Sequence, residues 1–197
     1  MAEIVQIRAD RPEPELIRRA CALLKAGELV VVPTETVYGI ACDPVHLEKL
    51  YAAKERDRGK PIARLAADLE QVETLGAKFG KHGRILAKTY WPGPLTLVLN
   101  TPEGPTGFRV PDHNVPLALA RAFEHPVALT SANKSGGADA VSAREAFQTL
   151  EKQVALFLDA FPSRRKTPST VVQCLENGIK ILREGAVSRE EIEQVIR

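Results

Sequence analysis

The sequence predicts an α/β protein in which a twisted mixed sheet is flanked by helices. Three observations carry this expectation. Short apolar runs bounded by turn residues, ELVVV (28–32), LTLVL (95–99) and PVALT (126–130), read as buried strands. Between them lie segments whose apolar residues recur at helical spacing. The two kinds of segment do not alternate strictly, which favours a mixed sheet over a doubly wound parallel one. A length of 197 residues suits one domain over 1–197, and 44% hydrophobic residues suffice for a core that encloses a pocket.

The elements follow in order. EPELIRRACALLKAG places Leu16, Ile17, Ala20, Leu23 and Leu24 on one helical face, and Gly27 ends it. ELVVV is a strand that runs into PTETVYG (33–39), where four hydrogen-bonding side chains stand in place of a plain turn. HLEKLYAAK (46–54) returns to helical period through Leu47, Leu50 and Tyr51. PIARLAA (61–67) suits a strand, DLEQVETLG (68–76) a short helix ended by Gly76, and 81–90 a helix stopped by WPGP. LTLVL and GFRVP (107–111) are strands, 115–124 a helix, and PVALT a strand opening into SANKSGG. A helix over 142–153 starts at a Ser142/Glu145 capping box, and Ser188 with Glu191 opens the last helix in the same way. ALFLD, STVVQC and IKILRE complete the strands.

Net charge is +2, too small to imply nucleic acid by itself. Its distribution is uneven. Lys54 to Arg64 holds five cations against two acids, Lys78 to Lys88 holds four cations and no acid, and Arg164, Arg165 and Lys166 are consecutive. Such stretches fit an anionic partner or solvated faces. Aromatic residues make up 5%, which argues against a stacking surface. Cys21, Cys42 and Cys174 are too far apart for a zinc or disulfide pattern and suit buried thiols in a reducing cytoplasm. The charged N-terminus lacks a signal-peptide core, and no apolar run reaches membrane-spanning length.

Five strand or helix ends finish in polar groups: PTETVYG, KERDRGKP, SANKSGG, STVV and Arg183. Loops at element ends are where sites are usually built, and five in a short chain favour one shared pocket. Lys54 continues the apolar stripe of its helix, as a snorkelling lysine at a helix C-terminus does. With Arg56 leaving in another direction, the pair also suits a polyphosphate. In SANKSGG, Gly136 and Gly137 permit an anion-binding nest, although such clusters are also ordinary loop chemistry. Arg109 alternates with Phe108 and Val110, as either a solvated strand arginine or a carboxylate clamp. Neither a P-loop nor a Rossmann glycine pattern occurs, and the four histidines show no metal spacing.

Taken in order, PTETVYG, KERDRGKP, WPGPLTLVL, GFRVP, TSANKSG, STVV and ILREG resemble the threonylcarbamoyl-AMP synthase family with its YrdC-like fold. The resemblance covers nearly the whole chain. It implies a mixed sheet curved around a deep, positively lined cavity. It also implies a reaction of L-threonine, bicarbonate or CO2, and ATP with Mg2+, giving threonylcarbamoyl-AMP and pyrophosphate. A downstream threonylcarbamoyl-transferase complex would then modify tRNA. By the same resemblance Thr34, Arg109 and Ser169 bind threonine. Arg56, Lys60, Ser131, Asn133 and Arg183 bind ATP, and Lys54 and Arg56 carry catalysis; no metal-ligating residue is implied. Relatives carry a histidine near the end of the PIARL strand, where this chain has Leu65. The chain resembles the short single-domain form, so FPSRRKTP (161–168) is the candidate lid. Two alternatives are a carbamoyl-adenylate-forming relative, found in larger chains, and a non-catalytic protein binding double-stranded RNA or tRNA through weak, salt-sensitive contacts.

Overall fold

The computed structural model describes residues 2–197. Among them, ten strands form one mixed sheet. The first half of the sheet contains β1 (Glu3–Gln6), β2 (Val30–Val32), β3 (Gly39–Cys42), β7 (Val127–Ser131) and β8 (Leu156–Asp159). The second contains β4 (Ala63–Leu65), β5 (Leu95–Thr101), β6 (Gly104–Arg109), β9 (Thr170–Leu175) and β10 (Gly178–Arg183). The order across the sheet is β1-β8-β2-β3-β7-β4-β6-β5-β9-β10. Parallel pairs (β1/β8, β2/β8, β4/β6, β5/β9) mix with antiparallel ones, as expected.

The first half is covered on both faces. Helices α2 (Leu47–Lys54) and α6 (Ala143–Leu150) pack over Val31, Ile40, Cys42 and Phe157. Helices α1 (Pro14–Lys25) and α5 (Asn114–Phe123) pack over Val30, Val32, Ala41 and Leu156 on the opposite face. This is why β2 reads as an unbroken VVV run: successive side chains point to opposite faces, and both faces are dry.

The second half has helices on one face only. Residues Leu95, Leu97, Leu99, Phe108 and Val172 pack with α3 (Leu69–Glu73), α4 (Gly80–Tyr90) and α7 (Arg189–Ile196). Their alternates, Thr96, Val98, Gly107, Arg109 and Val171, line a cavity. Strands β3, β4, β5, β6, β7, β9 and β10 all contribute residues to its lining.

Two strands escaped the sequence reading. β1 is a four-residue edge strand, EIVQ, with polar ends and three exposed positions, so it carries little apolar signal. β3 follows the polar 33–38 stretch without a turn signal and is glycine-led. Gly39 is required there for space: a Cβ would lie 2.8 Å from the Leu129 side chain. The Ser188/Glu191 capping box is complete. At α6, Ser142 Oγ accepts from the Glu145 N–H, but the Glu145 carboxylate accepts from Val141 N–H at 2.8 Å instead of from Ser142. That box therefore closes one residue early. No helix of the described residues is long and apolar enough to cross a membrane, and the three cysteines are free and buried.

Candidate active site

The cavity of about 230 Å3 lies against the uncovered face of the second half-sheet. Thr34, Arg56, Arg109, Ser131, Ser169 and Arg183, six of the nine residues singled out from sequence, are on its wall. Lys54, Lys60 and Asn133 are not among its lining residues.

The polar stretch 33–39 is fully buried. Its hydroxyls are used to shape the chain: Thr34 Oγ1 donates to the Val37 carbonyl at 2.7 Å and accepts from the Thr36 N–H at 3.1 Å. Ser163 Oγ donates to the Thr34 carbonyl, and the Arg165 N–H donates to that of Glu35. Part of the 161–168 segment is thus bonded along the back of the 34–35 backbone, while Pro168 reaches the cavity.

Lys54 ends α2 behind the wall, 1% exposed. Its ammonium donates to the carbonyls of Ser131 and Asn133 and to Asn133 Oδ1. All three of its N–H groups are therefore used by the loop that carries Ser131. Burial pushes the Lys54 ammonium down to about 8; the neighbouring Arg56 adds to this and Asp139 opposes it. Asn133 completes the knot, accepting from Ser131 Oγ at 2.7 Å and donating to the Gly137 carbonyl at 2.7 Å. The Gly137 N–H donates to the Lys134 carbonyl. One of the two N–H groups of an anion nest over Gly136 and Gly137 thus already has an internal partner.

Arg56 faces the cavity while closing its own loop, donating from Nε to the Lys60 carbonyl at 2.9 Å and from Nη2 to that of Pro61 at 3.2 Å. Lys60 contributes that carbonyl; its residue is exposed. Arg183 donates to the Ser169 carbonyl at 2.8 Å, and Ser169 Oγ lies 2.8 Å from Thr96 Oγ1. Leu65 is on the cavity wall, so an apolar group stands where the resemblance implied a histidine.

Arg109 is buried, and strand alternation points it away from Phe108 as the sequence indicated. The sequence did not pair it with a partner. Its Nη2 stands 2.6 Å from Glu35 Oε1, and Glu35 is 1% exposed. Two other residues were missed: Thr96, whose only signal was a threonine at an alternate position of LTLVL, and Glu35, whose geometry no spacing reveals.

Several basic side chains meet acids within the chain: Arg84 with Glu73, Arg64 with Glu103, Arg58 with Glu48 and Arg164 with Asp112. The basic stretches are thus partly neutralised locally. Among the described residues there is no group of three or more His, Cys, Asp or Glu that could hold a metal ion.

The Sua5/YciO/YrdC family model, described as telomere recombination, matches residues 22–185. A threonylcarbamoyl-AMP synthase of Pyrococcus abyssi is 35% identical over 100% of this chain and 61% of its own length. A putative threonylcarbamoyl-AMP synthase of Mycobacterium tuberculosis is 36% identical over 90% of this chain and 87% of its own. The crystal structure of P. abyssi Sua5 complexed with L-threonine superposes with a TM-score of 0.92 at 33% identity, covering 98% of this chain and 61% of that one. This chain therefore spans about three-fifths of the length of its P. abyssi relative. With the ten-stranded mixed sheet and the motifs in their order, these likenesses place the chain in the Sua5/YciO/YrdC family, the family of the threonylcarbamoyl-AMP synthases.

Proposed function

We propose that the chain makes threonylcarbamoyl-AMP and pyrophosphate from L-threonine, bicarbonate or CO2, and ATP, within the cavity on the open sheet face. One observation carries the reading: three guanidinium groups, Arg56, Arg109 and Arg183, and three hydroxyl residues, Thr34, Ser131 and Ser169, converge on a single cavity. That set suits an amino-acid carboxylate beside a nucleotide polyphosphate. A relative of the same fold has been crystallised with L-threonine.

On this reading the cavity is positively lined. Arg109, Thr34 and Ser169 form its threonine side, and Arg56, Ser131 and Arg183 its nucleotide side. Lys54 holds the 131–133 loop and lends its charge from behind; Asn133 fixes that loop, and Lys60 fixes Arg56 through its carbonyl. The threonine ammonium loses a proton to solvent, and its nitrogen adds to CO2 with release of a second proton to form a carbamate anion. A carbamate oxygen attacks the α-phosphorus of ATP, the bond to the β-phosphate oxygen breaks, and pyrophosphate leaves. The nucleophile is already anionic, so alignment and charge neutralisation supply most of the catalysis. Absent a protein cage of acids, Mg2+ would enter with ATP, held mainly by phosphate oxygens; it would neutralise charge on the leaving pyrophosphate. The product would pass to a tRNA-modifying transferase.

The test is pyrophosphate release by the purified chain with ATP, Mg2+ and each co-substrate omitted in turn. Release that needs threonine and bicarbonate together supports the reading. Release with carbamoyl phosphate in place of both would assign the carbamoyl-adenylate reaction instead.

A further inference from the structure

We infer that Glu35 is the positioning residue for Arg109: its carboxylate fixes the guanidinium so that the free edge reads a ligand carboxylate. This sets the cavity's preference for amino acids over analogues that lack the carboxylate. The inference rests on the reading of the cavity as a threonine and ATP site.

The geometry has two anchors. Arg109 Nε donates to the Gly93 carbonyl at 3.1 Å, and Nη2 stands 2.6 Å from Glu35 Oε1. Contacts on two different nitrogens of a planar group fix both its position and its twist. The guanidinium makes no other hydrogen bond among the described residues; Nη2 is itself buried, so Nη1 is the nitrogen left to a ligand. Each anchor is itself held. The Gly93 N–H donates to the Val110 carbonyl at 2.8 Å, and a Cβ at 93 would sit 2.4 Å from the Tyr90 carbonyl oxygen. The Glu35 carbonyl accepts from the Arg165 N–H at 2.9 Å.

The two partners face different spaces. Arg109 lines the cavity on the open sheet face. Glu35 does not; it lines a second cavity of about 390 Å3 on the far side of Thr34, with His113 and Ser163. The carboxylate therefore stands behind the guanidinium and leaves its cavity edge clear. The pair is also poorly arranged as a stabilising contact. Neither Glu35 oxygen, nor Arg109 Nη2, has a partner at hydrogen-bonding angles, although all three atoms are buried. Buried polar atoms are almost always satisfied, and buried ion pairs seldom stabilise more than apolar packing would. Orientation of Arg109 is what this pair supplies.

The experiment measures L-threonine and threoninol, in which the carboxylate is reduced to an alcohol, by calorimetric titration into the wild-type chain, Glu35→Gln, Glu35→Asp, Arg109→Gln and the double Gln variant. ATP is titrated in parallel. In Glu35→Gln, threonine affinity should fall about tenfold and its preference over threoninol by the same factor, as loss of one charge-assisted contact allows. ATP affinity should stay within about twofold. Glu35→Asp, which keeps the charge but withdraws it by one methylene, should fall between. In the Arg109→Gln background, Glu35→Gln should add nothing, because it acts through the missing guanidinium. That comparison, with both proteins checked for cooperative unfolding, holds even if Glu35→Gln alone folds poorly. Unchanged threonine preference in Glu35→Gln, or an equal effect in the presence and absence of Arg109, would overturn the inference while leaving the function standing. No threonine binding by the wild-type chain would overturn both.

Discussion

The two halves of the sheet use the same alternation for different ends. In the first half, successive residues of β2 and the first three of β8, Leu156, Phe157 and Leu158, are apolar, because helices cover both faces. In the second half, one set of residues packs on helices, while the other set is Thr96, Gly107 and Arg109 mixed with valines. A strand with one dry face and one solvated or ligand-bearing face can afford polar groups at every second position; a strand with two dry faces cannot. The difference shows where stability is concentrated and where chemistry is possible.

The largest expected effect breaks the packed half. Phe157 is fully buried among residues of α6 and the first half-sheet. Phe157→Ala should cost about 3–5 kcal/mol of stability, the usual range for a truncated core aromatic. Urea unfolding checks this. The protein that remains folded should keep its threonine and ATP affinities, since Phe157 does not line the cavity.

On the open half the effects should appear in binding. Arg109→Lys replaces a planar fork with a single ammonium that cannot span both Gly93 and Glu35 and still meet a carboxylate. Threonine affinity should fall by roughly ten- to a hundredfold, with ATP affinity little changed. Calorimetry with each substrate decides. Retained threonine affinity with collapsed ATP affinity would reverse the assignment of the two sides.

Lys54 runs from α2 to the end of β7 and the loop after it, within the packed half, and its burial gives a smaller, pH-dependent effect. Its folded pKa, pushed down to about 8, lies below the unfolded value near 10.5. Between these values the unfolded chain binds the proton and the folded one does not, so this group's contribution to stability rises with pH. Below about 8 the full cost of burying the charge is present. Unfolding free energies between pH 7.5 and 9.5 should therefore show an upward component in the wild type that Lys54→Met lacks. Bound ATP should move the inflection to higher pH, because an adjacent polyanion favours the charged ammonium. An inflection unaffected by ATP would place the phosphates away from this loop.

The smallest change is Thr96→Val, which keeps the shape of the side chain and removes its 2.8 Å contact with Ser169. It should alter stability by no more than about 1 kcal/mol and loosen threonine by a few fold, if Ser169 needs Thr96 to face the ligand. Parallel unfolding and titration measure both.

Much of this was legible in the residues. Runs such as LTLVL and helical stripes such as Leu47, Leu50 and Tyr51 locate elements because burial on one face leaves a period in the sequence. Five polar strand or helix ends indicated a shared pocket, and each places a residue on its wall: Thr34, Arg56, Ser131, Ser169 and Arg183. What was not legible depends on contacts between distant segments. Lys54 appears from sequence as a phosphate ligand or a snorkelling side chain, but its environment is set by the carbonyls of residues 131 and 133. Glu35 and Arg109 are 74 positions apart, and no local pattern ties them. β3 was hidden because its neighbours in the chain are polar while its neighbours in space are β2 and β7.

The most direct test of the open face as a catalytic cavity is mass spectrometry of the product formed from ATP, Mg2+, threonine and carbon-13-labelled bicarbonate. Arg56→Ala provides the comparison. The expected result is threonylcarbamoyl-AMP carrying one labelled carbon, lost by about a hundredfold or more in Arg56→Ala at unchanged thermal unfolding. An adenylate formed without threonine, or a product of equal yield from Arg56→Ala, would contradict it.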